Sequence, residues 1–430
     1  MGSHYRLNCV HCGKSFEDEG DCFLLGCDAQ HTPSLLRASY SDKAFTVEKD
    51  EPGLFRYRRW LPVRRAWPSA GAPVVLQSSK LSECLKLDSL HLAFSGYWPE
   101  RGAHLETCSF KELEALPVCA RLPGGPGRTL VVSSAGNTGR AFLQIGSRYG
   151  VSVLVVVPES AAADMWITGE RHASARLAVL KGGGDYLDAI NIANRIAALP
   201  GFYPEGGARN VARRDGLGTV LLSAVEALGQ IPHHYFQAVG SGTGGIAAWE
   251  MNLRLIEDGR FGGRRMRLHV VQNSPFSVMS EAWGRGSREL APVGEREAKR
   301  RIGRLYSAVL SNRNPPYGIA GGVYDALTDT QGHAYSVSRR EAQAAGRLFE
   351  TLEGCDLDPA AEVALAGLLQ AVAQGRVGRK EIVLLNLTGG GREKLAREGR
   401  LRPVPPDIEL ARPDMSDGEL EEQIHERHLR

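Results

Sequence analysis

From about Leu90 onward, short apolar runs alternate with stretches whose apolar residues recur every three to four positions. The runs at 129–133, 151–157, 177–180, 235–239, 268–271 and 382–387 predict strands, and the stretches at 110–121, 137–149, 186–198, 218–228 and 244–258 predict amphipathic helices. Strand, helix, strand in series makes parallel sheets with helices on both faces. The expected fold class is therefore α/β, with two open, twisted, mostly parallel sheets and a ligand crevice at the carboxyl ends of their strands. The first 35 residues break the pattern: they are rich in Cys, His, Gly and Asp, with little apolar periodicity, and predict a small appended module. Residues 51–73, rich in Pro, Trp and Arg, predict an irregular connection, and the charged residues from 412 onward a flexible tail.

Composition narrows the function classes. A chain of 430 residues that is 43% hydrophobic can bury a large core. A net charge of +3 is nearly balanced at this size, so no nucleic-acid partner is expected. No run approaches the roughly 20 apolar residues that span a bilayer, and no apolar leader is visible, so a cytoplasmic protein without membrane association is the expectation. Of eight cysteines, Cys9, Cys12, Cys22 and Cys27 cluster near the start. In a reducing compartment that cluster suits a tetrahedral structural zinc site, with His31 as an alternative fourth ligand, or else unligated thiols.

Four local patterns carry candidate chemistry: Ser109-Phe110-Lys111, Ser134-Ala135-Gly136-Asn137-Thr138, Gly240-Ser241-Gly242-Thr243-Gly244-Gly245, and Asn386-Leu387-Thr388-Gly389. The glycine loop follows a strand and opens a helix, so its backbone N–H groups can converge on a phosphate; a ligand-free turn reads the same way. Lys111 begins a helix beside Phe110, a setting that favours the free amine a Schiff base needs, although a lone lysine there also reads as solvated. The Asn137 turn suits a carboxylate and a phenolate oxygen, or simply caps its helix. Thr388 ends a strand, where its hydroxyl can face the same crevice or mark an ordinary strand end.

In this order, the four patterns resemble the fold type II pyridoxal 5′-phosphate (PLP) enzymes. Longer stretches, including Phe94-Ser95-Gly96-Tyr97-Trp98-Pro99-Glu100 and residues 107–115, 205–216, 234–245 and 249–262, are similar to the cysteate synthases, a branch of the threonine synthase family. The resemblance implies that Lys111 forms the Schiff base, and that Asn137, Gly242, Thr243, Gly244, Gly245 and Thr388 bind the cofactor. Ser134, Ala135, Gly136, Thr138, Asn210 and Arg213 would bind substrate, with Arg209 and Arg214 as neighbours. It also implies β-replacement on O-phospho-L-serine by sulfite, through an aminoacrylate, to give L-cysteate and phosphate; another nucleophile, or a threonine synthase activity, is the alternative. Residues 1–35 would form the Cys-rich module, 36–122 with 205–411 the large cofactor-binding domain, 123–204 a small mobile domain, and 412–430 the tail. A homodimer is the expected assembly.

Overall fold

The computed structural model describes residues 4–20, 22–51, 53–68, 70–123, 127–134 and 136–428. Its larger sheet has six strands in the order His333–Val337, Arg267–Asn273, His234–Ala238, Ile382–Leu387, Ser89–Phe94, Val74–Gln77, all parallel except the last edge. The smaller sheet has five parallel strands in the order Phe202–Pro204, Thr129–Ser133, Val153–Pro158, Ala175–Leu180, Ile408–Leu410. Val153–Pro158 is buried along its whole length, as burial on both faces of a parallel sheet requires. Among the described residues no helix is long and apolar enough to cross a membrane.

One helix begins about two turns earlier than its periodicity predicts. Val211–Leu228 includes Arg213, Arg214 and Asp215, all buried, together with Gly216 and Gly218. Each charge has a partner, Arg213 with Glu205, Arg214 with Glu250 and Asp215 with Arg254, so burial is tolerated. The glycines serve packing. A Cβ on Gly216 would run into the Leu113 carbonyl oxygen of the helix Lys111–Arg121, so these two helices touch along their backbones.

Three boundaries need correction. The strand Leu36–Tyr40 pairs antiparallel with Tyr5–Cys9, so the N-terminal module continues through Tyr40, and its Tyr5, Leu7 and Cys9 join the main core. After the large sheet, the chain crosses back: Arg402–Pro403 pairs with Trp166–Ile167, and Ile408–Leu410 completes the smaller sheet. The expected tail instead forms the helix Asp417–His428, whose Leu420 and Ile424 are buried against Ile192 and Ile196. Two apolar residues among many charges are a weak periodic signal, yet they meet a matching face.

Candidate active site

The carboxyl ends of the two sheets face each other across a cleft of about 660 Å³. Lys111 enters it from the first turn of its helix, with its Nζ 4.9 Å from the centre of the Phe110 ring. The segment before the lysine is stitched to the strand end opposite: the Phe110 N–H donates to the Thr388 carbonyl at 2.8 Å, and Ser109 bridges Gly389. Lys111 and Thr388 are thereby fixed on one wall.

Two helix N-termini flank the lysine. In Thr243–Asp258 the first helical bond runs from Ile246 N–H to Gly242 oxygen, so the amides of Thr243, Gly244 and Gly245 precede the ladder. Gly242 sits at φ 82°, and a Cβ on Gly240 would lie 2.9 Å from the Val309 oxygen, so this loop passes close to its neighbours only as glycine. In Asn137–Tyr149 the ladder begins with Arg140 N–H to Gly136 oxygen, freeing the amides of Asn137 and Thr138. Arg140 also donates to the Asn137 side-chain oxygen at 2.7 Å, and since a guanidinium only donates, the Asn137 NH2 is the end left for a ligand.

Some predicted residues are otherwise engaged. Ser134 lines the cleft, but its hydroxyl accepts from the N–H groups of Gly136 and Gly139 at 3.0 and 2.7 Å, which makes it the cap of the following helix. The Thr138 hydroxyl donates to Glu114 at 3.0 Å. Asn210 is fully buried away from the cleft: its oxygen accepts from Arg121 and Ala212, and its NH2 donates to the Glu205 carbonyl, so it is not a substrate ligand. Arg214 is likewise structural, bonded to Glu250 and to the Ala208 and Leu36 carbonyls. Gly245 turns its Cα toward Val270 in the core, leaving only its amide for the loop. Ala135 lies outside the described residues.

Arg213 does line the cleft, gripped at both ends by Glu205 at 2.8 and 2.6 Å. Its guanidinium also lies 3.3 Å from Glu114. Burial works against the Arg213 charge, but Glu114 and Glu205 outweigh it and push its pKa up. Glu114, which residue-by-residue reading missed, has no exposed side-chain surface and accepts from the Lys111 Nζ at 2.9 Å. Burial would raise its carboxyl, yet Arg213, Lys111 and Thr138 hold it below the ordinary value. Its signal was the three-residue spacing from the lysine, which places both on one helix face. Arg209 is exposed at the rim and makes no ion pair among the described residues.

A second cluster gathers Cys9, Cys12, Cys27 and His31, whose ligand atoms lie within 4.8 Å of one another. Cys22 is not part of it: its sulfur accepts from Arg128 at 3.0 Å, and His31 stands in its place.

The cleft thus brings one lysine together with two unladdered helix N-termini at the ends of parallel strands. The family described as Pyridoxal-phosphate dependent enzyme matches residues 82–389, and the chain belongs to it. More narrowly, it belongs with the cysteate synthases. It is 47% identical over 415 residues to the cysteate synthase of Methanosarcina acetivorans, covering 96% of this chain and 98% of that one. To that of Methanocella arvoryzae it is 48% identical over 419 residues, covering 97% and 98%. Among solved structures, an L-serine ammonia-lyase from Rhizomucor miehei superposes with a TM-score of 0.55 at 16% identity, covering 76% of this chain and 98% of that chain. Maize serine racemase gives 0.54 at 12% identity, covering 76% and 91%. These last two show the shared fold. The donor set fits PLP: an amine, an anion-binding loop, a free amide NH2 and a hydroxyl line one cleft.

Proposed function

We propose that the chain binds PLP through Lys111 and exchanges the phosphate of O-phospho-L-serine for sulfite, releasing L-cysteate and inorganic phosphate. The observation that carries this is the pair of open helix N-termini on either side of one lysine, a site built for two anions. Thr243, Gly244 and Gly245 would hold the cofactor phosphate through their amides, Asn137 its phenolic oxygen, and Thr388 its ring nitrogen. When bound, PLP supplies the electron sink that allows the Cα–H and Cβ–O bonds of an amino acid to break. Lys111 Nζ takes the Cα proton and returns it. The amides of Asn137 and Thr138 would orient the substrate carboxylate, and Arg209, which has no acid partner among the described residues, its phosphate. Closing the cleft keeps water from competing with sulfite. Cys9, Cys12, Cys27 and His31 would hold a structural zinc ion.

The test is mass spectrometry of products from the PLP-loaded protein with phosphoserine, with and without sulfite. Cysteate is expected only with sulfite. Phosphate release without any sulfonate product would overturn sulfite as the nucleophile, and neither product would overturn the β-replacement itself.

A further inference from the structure

The Cys/His cluster is placed where it can act on the cleft. Its geometry already matches a metal site. Cys12 and Cys27 sulfurs stand 3.7 Å apart and Cys9 sulfur is 3.4 Å from His31 Nε2. Zn–S bonds of about 2.3 Å in a tetrahedron put neighbouring sulfurs about 3.8 Å apart. His31 Nδ1 donates to the Thr32 carbonyl at 2.6 Å, which leaves the Nε2 lone pair facing the thiols, the orientation a metal-bound imidazole needs. Three thiols and an imidazole, with no carboxylate, select zinc over magnesium or calcium.

Each ligand stretch also touches either the cleft itself or the chain that borders its wall. Leu25, two residues before Cys27, lines the cleft and packs on Gly206, where any Cβ would displace it. Val10, between Cys9 and Cys12, packs on Gly321, where a Cβ would sit 3.2 Å from its Cγ2. Just beyond His31, Pro33 oxygen accepts from Ala320 N–H at 3.1 Å, and Leu35 N–H donates to Ala320 oxygen at 3.0 Å. Ala320 closes the segment 312–320, whose Asn312, Asn314 and Ile319 form the cleft wall opposite the smaller sheet.

We propose that zinc bound by Cys9, Cys12, Cys27 and His31 acts as a clasp that holds two walls of the cleft, Leu25 and the 312–320 segment, so that metal occupancy sets the shape of the substrate end. The inference rests on the zinc assignment above but not on the identity of the substrate. Without the ion, the stretches around Cys9, Cys12, Cys27 and His31 lose the cross-link that ties Val10, Leu25 and Pro33 to one another.

The experiment uses the PLP-loaded full-length protein. Elemental analysis is expected to find one zinc per chain; protein that stays metal-free after incubation with zinc chloride would overturn the zinc assignment and the clasp with it. Hydrogen exchange is then compared before and after a chelator removes the ion, with zinc added back as control. Amide exchange in 312–320 is expected to accelerate on the order of tenfold or more and to recover on add-back, while the helix Lys111–Arg121 is unchanged. Zinc that is present and removable, with exchange in 312–320 unaltered, would leave the metal site standing and overturn the clasp. Cys12→Ser with Cys27→Ser, both sparing the buried Cys9, provides a chelator-free comparison with the same expected result.

Discussion

Lys111 and Glu114 form a charge pair at the cleft, 2.9 Å apart. Lys111→Ala is expected to abolish borohydride-stable attachment of PLP, read by peptide mass spectrometry; label retained on another lysine would contradict the assignment. Glu114 has a consequence for pH. Its carboxyl is held below the ordinary value, so it contributes stability in full above about pH 4.3, and that contribution fades as pH falls through its lower folded value. Glu114→Gln should therefore lower the urea midpoint at pH 7, with the gap to the parent protein narrowing toward pH 3. The same variant leaves Arg213 with one acid partner, and a loss of about tenfold or more in kcat is expected. Arg209→Ala should instead raise KM for phosphoserine by about tenfold with kcat little changed, because a rim guanidinium contributes to capture.

At the level of helices and strands, legibility followed physical signal. The strand Ile382–Leu387 and the helix Asn137–Tyr149 were readable to the residue, because an uninterrupted apolar run and a glycine stop at Gly150 leave little choice. The start of Val211–Leu228 was not, since its first turns are charged and Arg214 and Asp215 are neutralised by Glu250 and Arg254, far away in the chain. The same cause hid the true role of Asn210, which caps that helix and therefore cannot also serve a ligand. The lysine, glycine and threonine motifs were legible because they are local; Glu205 against Arg213 was not, because that pairing exists only after folding. Gly216 tests the helix contact: Gly216→Ala should cost about 1–3 kcal/mol by urea denaturation, through forced separation from the helix that begins at Lys111.

On the scale of the whole molecule, the smaller sheet depends on the chain's last segment. Deleting residues 412–430 would uncover Ile192 and Ile196, and would remove Leu420 and Ile424, each worth about 1.5–3 kcal/mol when fully buried. The truncated protein should bind a hydrophobic dye and be cleaved by protease within 175–200, while the full chain resists both. Among the contacts between the two sides of the cleft is the pair Arg313 of the large side and Asp185, the cap of a small-side helix, 3.4 Å apart.

Because Ile408–Leu410 is the outermost strand of a sheet whose other members end at Pro204, that sheet waits for nearly the entire polypeptide to leave the ribosome. Until then Ala175–Leu180 presents a bare, apolar border to its surroundings. Nascent chains stalled short of residue 408 are the ones that chaperones must shield from sticking to one another.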